Sequence, residues 1–376
     1  MGGTGEGQQT KSQQADGEGL RQVRAGWRPH PLDVLLLAIP VALLARVLNW
    51  GDVALFFSSG VAIVPLARYI GVATEELASY VGPAAGGLLN ATFGNATELI
   101  ISFLALRAGL TEVVKASLVG SILGNILAVL GIAFLLGGWG RERQRFNPVA
   151  ARAAGAQLAL AAGALLVPAI LAATSPLQGD STAHLSVATA VVLLLGYLAG
   201  LLFSLRTHAH LFTDEEEEDL HGTRWSLRVA LGVLLGATLV VAVLSELLVQ
   251  GVEGMTVRLG WTETFVGVII VALLGNAAEH ASAVGAAKRD KLDLALAISL
   301  GSAAQIALFV APVLVLFGGL TGHSLNLLFD PFEVAAVAIG VALVNLVIGD
   351  GESTWLEGLQ LLALYAILGA AFFIHP

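Results

Sequence analysis

Eleven runs of apolar residues, each near the length of a bilayer crossing, alternate with short polar breaks along the chain. They cover residues 33–49, 52–70, 83–106, 112–137, 149–173 and 184–206, then 225–250, 262–287, 292–318, 330–349 and 354–374. This pattern predicts an all-α polytopic membrane protein of about eleven transmembrane helices. Several runs are rich in glycine, which helices in lipid tolerate where they pack closely or break. Residues 1–30 are polar, aperiodic and rich in Gly and Gln, so a disordered cytoplasmic tail is expected there. They lack the short apolar core and cleavage site of a secretory signal, and the run at 33–49 reads as a retained helix.

The runs repeat. Gly94, Asn95 and Glu98 recur as Gly275, Asn276 and Glu279, a constant offset of 181 residues. Gly86 matches Gly267 at the same offset, and Gly120-Ser121 matches Gly301-Ser302. With a slip of two residues, RFNPVA at 145–150 echoes LFDPFE at 328–333. The expected organisation is therefore an extra N-terminal helix at 33–49, a first five-helix repeat at 52–206, and a second at 225–374. A cytoplasmic linker at 207–224, carrying the acidic run DEEEED, joins them. Five is odd, so the second repeat enters the membrane from the opposite side and the two are inverted. That architecture forms substrate sites at the membrane midplane, on helices broken at corresponding positions.

Charge orients the chain. With the N-terminus inside, the tail and the even-numbered loops hold fifteen of the nineteen Lys and Arg, and the other side holds four. The asymmetry places the N-terminus in the cytoplasm and the C-terminus outside. A bias toward Ala, Leu and Arg points to a prokaryotic plasma membrane, with an organellar membrane as the alternative. Composition agrees with a lipid environment: 56% of residues are hydrophobic, 12% are charged, and mean hydropathy is +0.81. Cysteine is absent, which excludes disulfides and thiolate metal sites and leaves oxygen or imidazole as the only ligands.

Glu98 lies fifteen residues into its run and Glu279 seventeen into its own, well inside the hydrocarbon. An ionisable side chain there costs at least about 2.5–3.5 kcal/mol on insertion scales, so it needs a partner or a task. Gly94 and Gly275 are expected to let their helices open and aim backbone carbonyls inward. Asn90, Asn95, Thr97 and Asn276 offer neutral oxygens, and Ser121 and Ser302 sit on the next helix of each repeat. Asn125 follows Ser121 by one turn, and Gln305 follows Ser302 by three residues. An all-oxygen set with two carboxylates suits a hard divalent cation, and Ca²⁺ takes 6–8 oxygens in flexible geometry. Once the cation leaves, two carboxylates in low dielectric cannot both stay ionised, so the pair binds either the cation or protons. His280 adjoins Glu279 but points about 100° away on a helix. A packing histidine and a proton relay both remain open for it. Glu246, Glu333 and Glu357 lie near run ends and are expected at the interfaces.

The stretches NATFGNATELI, GNAAEH and GSAAQIALFVAP resemble the paired repeats of the calcium/proton exchanger family, within the calcium/cation antiporter superfamily. The acidic run between the halves resembles that family's acidic linker. The likeness spans residues 33–376. It implies an eleven-helix fold of five-plus-five inverted repeats and Ca²⁺ export driven by a proton gradient. It also implies that Glu98 and Glu279 carry the cation and protons, supported by Asn95, Asn276, Ser121, Ser302, Asn125 and Gln305. The expected partners are Ca²⁺, H⁺ and the lipid bilayer, with no nucleic acid, no cofactor and no enzymatic reaction; Ca²⁺ is cargo. The sodium/calcium branch typically carries an acid or amide four residues beyond the Gly-Ser of each repeat. Ile306 holds that place in the second half, with Gln305 before it, which weakens a dedicated Na⁺ set and leaves another cation pair open. An intramembrane metallohydrolase using Glu279 and His280 is a further alternative, but no His-Glu-x-x-His spacing occurs.

Overall fold

The computed structural model of the chain describes residues 30–81, 83–174, 181–211 and 225–374. All of the predicted tail but His30 lies outside the described residues, as does the acidic run at 214–219. Among the described residues the chain forms eleven long helical segments, labelled α1 to α11. These are α1 (31–47), α2 (Asp52–Val81), α3 (83–107), α4 (Thr111–Gly138), α5 (Pro148–Thr174) and α6 (Ser181–Thr207). Then follow α7 (Leu227–Leu259), α8 (Glu263–Lys288), α9 (Leu292–Thr321), α10 (Pro331–Val347) and α11 (Trp355–Ile374). Eight are long and apolar enough to cross a membrane by length and composition. The other three are α1, which opens with a 3₁₀ stretch, the broken α3, and the shorter apolar α10.

Local sequence explains the boundaries. Asn147-Pro148 and Asp330-Pro331, the two echoed motifs, start α5 and α10. In the first, Val149 N donates to Asn147 Oδ1 at 2.9 Å. In the second, Phe332 N donates to Asp330 Oδ1 at 2.8 Å while Asp330 N donates to Glu333 Oε2 at 3.2 Å, a capping box. Glu333, expected at an interface, is thereby buried. A left-handed glycine ends α7 (Gly260, φ 66°) and another ends α9 (Gly322, φ 79°). Two helices run further than hydropathy indicates. α2 continues to Val81, where its polar end docks on the start of α7: Tyr80 Oη donates to the Trp225 carbonyl at 2.7 Å.

The packing follows a two-fold exchange of α2–α6 with α7–α11. α2 lies along α7, and α5 along α10. α11 packs on α4 as α6 packs on α9, and α8 packs on α2 as α3 packs on α7. The ends obey the same rule. Lys115, near the start of α4, donates to the Leu328 carbonyl just before α10 at 2.7 Å; Asp293, at the start of α9, accepts from Asn147 N just before α5 at 2.6 Å. At the latter end the pairs β1 (Gln144–Arg145) and β2 (Glu352–Ser353) join antiparallel, and Glu352 takes ion pairs from Arg143 and Arg145. α1 stands outside this exchange and is fastened to α2 by Asp33, which accepts from Tyr69 Oη at 2.9 Å.

One pairing has no match. The start of α4 packs extensively on residues 266–271 of α8, but among the described residues the start of α9 makes no comparable contact with Pro83–Phe93.

Candidate functional site

Three wide π-helical turns surround the middle of the molecule: 124–129 in α4, 306–310 in α9 and 266–271 in α8. The first two coincide to within one residue at the repeat offset. Such turns rotate side chains out of the regular helical register and concentrate at functional sites. α3 breaks outright. Its helix stops at Phe93, turns through Gly94 and Asn95, and restarts at Ala96. The break leaves Glu98 in the first turn of the second segment, near the positive end of a helix dipole.

Side chains from the two halves interlock at this level. Asn95 of α3 donates to Gln305 of α9 at 2.6 Å. Asn125 of α4 donates to Ser302 of α9 at 3.0 Å, and Asn276 of α8 donates to Ser121 of α4 at 3.0 Å. Each of these links crosses between the repeats. The structure thus brings together eight of the expected residues: Glu98, Glu279, Asn95, Asn276, Ser121, Ser302, Asn125 and Gln305.

Glu98 lies over Gly275, one turn before Glu279 on α8; a Cβ built on Gly275 would sit 3.5 Å from Glu98 Oε1. Four oxygens in this cluster are buried with no hydrogen-bond partner among the described residues: Glu98 Oε2, Glu279 Oε2, Asn125 Oδ1 and Asn276 Oδ1. A buried oxygen without a donor is costly, and acceptors left free in this cluster suit a cation. These residues present only two carboxylates, the remainder being neutral oxygens.

Two expectations are corrected. Gly275 does not open its helix: α8 is continuous from Ala272 to Lys288, and the residue serves by lacking a side chain where Glu98 approaches. Asn90 is exposed and does not join the cluster; it lies five residues before Asn95, about 140° around a regular helix. Its backbone carbonyl accepts from Gly94 N at 2.8 Å. Thr97 is buried but adds no hydrogen bond to the cross-repeat set among the described residues. His280 Nε2 is buried without a partner, so that nitrogen does not act as a hydrogen-bonded packing group.

Two residues of the site were missed. Ser102 and Ser117 line a cavity of about 10 Å³ with Glu98, Ser121, Asn276 and Ile306. Their signal was helical spacing: Ser102 follows Glu98 by four and Ser117 precedes Ser121 by four. A second cavity of about 690 Å³ opens between α5, α6 and α9, lined by Asn147, Gln157, Ser204, Asp290, Asp293 and Gly301. It reaches Gly301, the neighbour of Ser302, at the level where α9 lacks the contact that α4 makes.

The family model described as "Sodium/calcium exchanger protein" matches residues 52–206 and 229–374. The chain is similar to a Ca(2+)/H(+) antiporter of Synechocystis sp., at 48% identity over 91% of this chain and 97% of that one. It is also similar to the Ca(2+)/H(+) antiporter ChaA of Bacillus subtilis, at 43% identity over 89% and 96%. Among solved structures, native YfkE superposes with a TM-score of 0.80 at 40% identity, covering 91% of this chain and 99% of that one. The H⁺/Ca²⁺ exchanger CAX shares the fold, with a TM-score of 0.70 at 15% identity and 91% of both chains covered. A match through both halves leaves one conclusion: the chain belongs to the sodium/calcium exchanger family and, within it, to the calcium/proton exchangers.

Proposed function

We propose that the chain is a secondary active antiporter that exchanges Ca²⁺ for H⁺ across a prokaryotic plasma membrane by alternating access. The observation that carries this reading is the meeting of Glu98 and Glu279, one from each half, in a ring of cross-repeat hydrogen bonds with four buried acceptor oxygens. Two carboxylates balance one divalent cation, and protons neutralise the same pair when it departs. Competition for one centre then couples the two flows, provided that the centre faces one side at a time. The names of the similar proteins support this pair of ions. Buried Ile306 occupies the place where the sodium/calcium branch carries a polar residue, which argues against dedicated Na⁺ sites.

The distribution of Lys and Arg puts the mouth of the large cavity, beside Asn147 and Asp293, in the cytoplasm. In this reading the conformation is open inward, and the α4–α8 contact closes the outside. Proteoliposomes with an imposed pH gradient and labelled Ca²⁺ test the function. Gradient-driven uptake by the parent, absent in Glu98→Gln and in Glu279→Gln, is expected. Uptake that persists in either variant, or that follows a sodium gradient alone, contradicts it.

A further inference from the structure

In the small cavity beside Glu98, the donors of Ser117 and Asn276 are already engaged. Ser117 Oγ donates to the Val114 carbonyl at 2.8 Å. Both amide hydrogens of Asn276 are used, toward Ser121 Oγ at 3.0 Å and the Ala272 carbonyl at 2.9 Å. Asn276 Oδ1 and Glu98 Oε2 have no donor among the described residues. Ser102 and Ser117 are both buried, and Ile101, Leu118, Val271 and Ile306 supply the apolar part of the wall. The volume of about 10 Å³ is close to the least that admits one water molecule. The unpartnered Asn276 Oδ1 and Glu98 Oε2 call for a group that brings hydrogens or positive charge.

A water bound to a cation is such a group. Its oxygen faces the ion, and its two hydrogens need acceptors. Ca²⁺ completes a shell of 6–8 oxygens with both protein groups and water. We propose that Ser102 and Ser117 hold one water of the Ca²⁺ shell at Glu98, and so act as positioning residues for the transported ion. This rests on the cation site proposed above. The device belongs to one half only. At the repeat offset Ser102 corresponds to Ala283 and Ser117 to Ile298, so the pair does not recur at the equivalent positions. The two acids therefore contribute differently: Glu279 meets the ion alongside Ser302, and Glu98 meets it alongside a held water.

The test is labelled Ca²⁺ uptake at a fixed pH gradient, paired with equilibrium Ca²⁺ binding to the purified protein in detergent, for the parent, S102A/S117A and S117T. Loss of groups that orient a metal's ligands typically weakens metal affinity about 10–100-fold. Removal of both hydroxyls is expected to raise the KM and Kd for Ca²⁺ by about 10-fold, the low end of that range, with maximal rate retained within about twofold. Thr at 117 keeps a hydroxyl and is expected to hold the parent's Kd. A Kd unchanged in S102A/S117A overturns the proposal. So does a fall in maximal rate with no change in KM, or a defect in S117T as large as in S102A/S117A, since either marks a packing role. A parent that binds Ca²⁺ without exchanging it sinks the antiport reading, while the binding comparison still decides this one.

Discussion

Gly120 and Gly301 occupy equivalent positions in the two halves, yet their surroundings are opposite. A Cβ built on Gly120 would collide with the Val268 backbone, so close does α4 approach α8. A Cβ built on Gly301 would meet nothing within 4 Å, and the large cavity lies against it. The repeat partner of Val268 is Gly87, which sits on the first segment of α3, against Leu205 at the end of α6. The same sequence pattern thus holds two arrangements within one chain. The close contact is a property of conformation, and glycine is what permits it. In the antiport reading, the opposite state makes the Gly301 contact and releases the Gly120 one.

Substitutions break this comparison in graded ways. The largest expected effect is Gly301→Val. The side chain fits the described conformation, so the unfolding midpoint in detergent is expected within about 0.5 kcal/mol of the parent, as for a substitution that meets no neighbours. Ca²⁺ exchange in proteoliposomes is expected to fall at least tenfold, because the alternate contact cannot form. Normal exchange would show that Gly301 never closes. Gly120→Val is expected to destabilise the described conformation by about 1–3 kcal/mol through overpacking. Because the chain has no native cysteine, a single cysteine at position 121 then reports which side admits a thiol reagent. It is expected to react from outside in the Gly120→Val background and not in the parent.

The caps come next. Asn147→Ala and Asp330→Ala each remove an N-cap acceptor and are expected to lower stability by about 1 kcal/mol, read by chemical unfolding in detergent. A cost at only one of them would show that the two ends are less alike than their hydrogen bonds suggest. The smallest effect is Glu352→Gln at the rim, where the pairs with Arg143 and Arg145 are exposed. No shift in melting temperature is expected at high salt.

Much of this was legible in the sequence because membrane spans and repeats are written in composition and spacing. The eleven runs match eleven helical segments, and the offset of 181 residues pairs Gly120 with Gly301 and Asn147-Pro148, after its slip, with Asp330-Pro331. The cross-repeat cluster followed from residue type at depth. What failed was whatever depends on which face meets protein and which meets lipid, since both surroundings are apolar. Asn90 was placed in the site from its chemistry, and its face excludes it. The ends of α2 and α7 were cut short because polar residues such as Thr74, Glu75 and Glu76 read as outside the membrane. The helix continues to Val81, just ahead of Gly82-Pro83. Gly94 and Gly275 are identical in motif, yet only the first breaks its helix. A difference between states of one repeated unit leaves no trace in the repeated letters. Ser102 and Ser117 have no counterpart at the repeat offset, so the repeated pattern carries no signal for them.

The most direct measurement is the stoichiometry of Ca²⁺ binding to the purified protein in weak buffer, with a pH electrode recording proton release. If both acids serve one shared centre, the parent binds one Ca²⁺ per chain and releases protons as it does so. Glu98→Gln and Glu279→Gln then each abolish binding and release together. Two Ca²⁺ per chain in the parent, falling to one in each variant, would mean that the halves carry separate sites, and the shared centre described here would not exist.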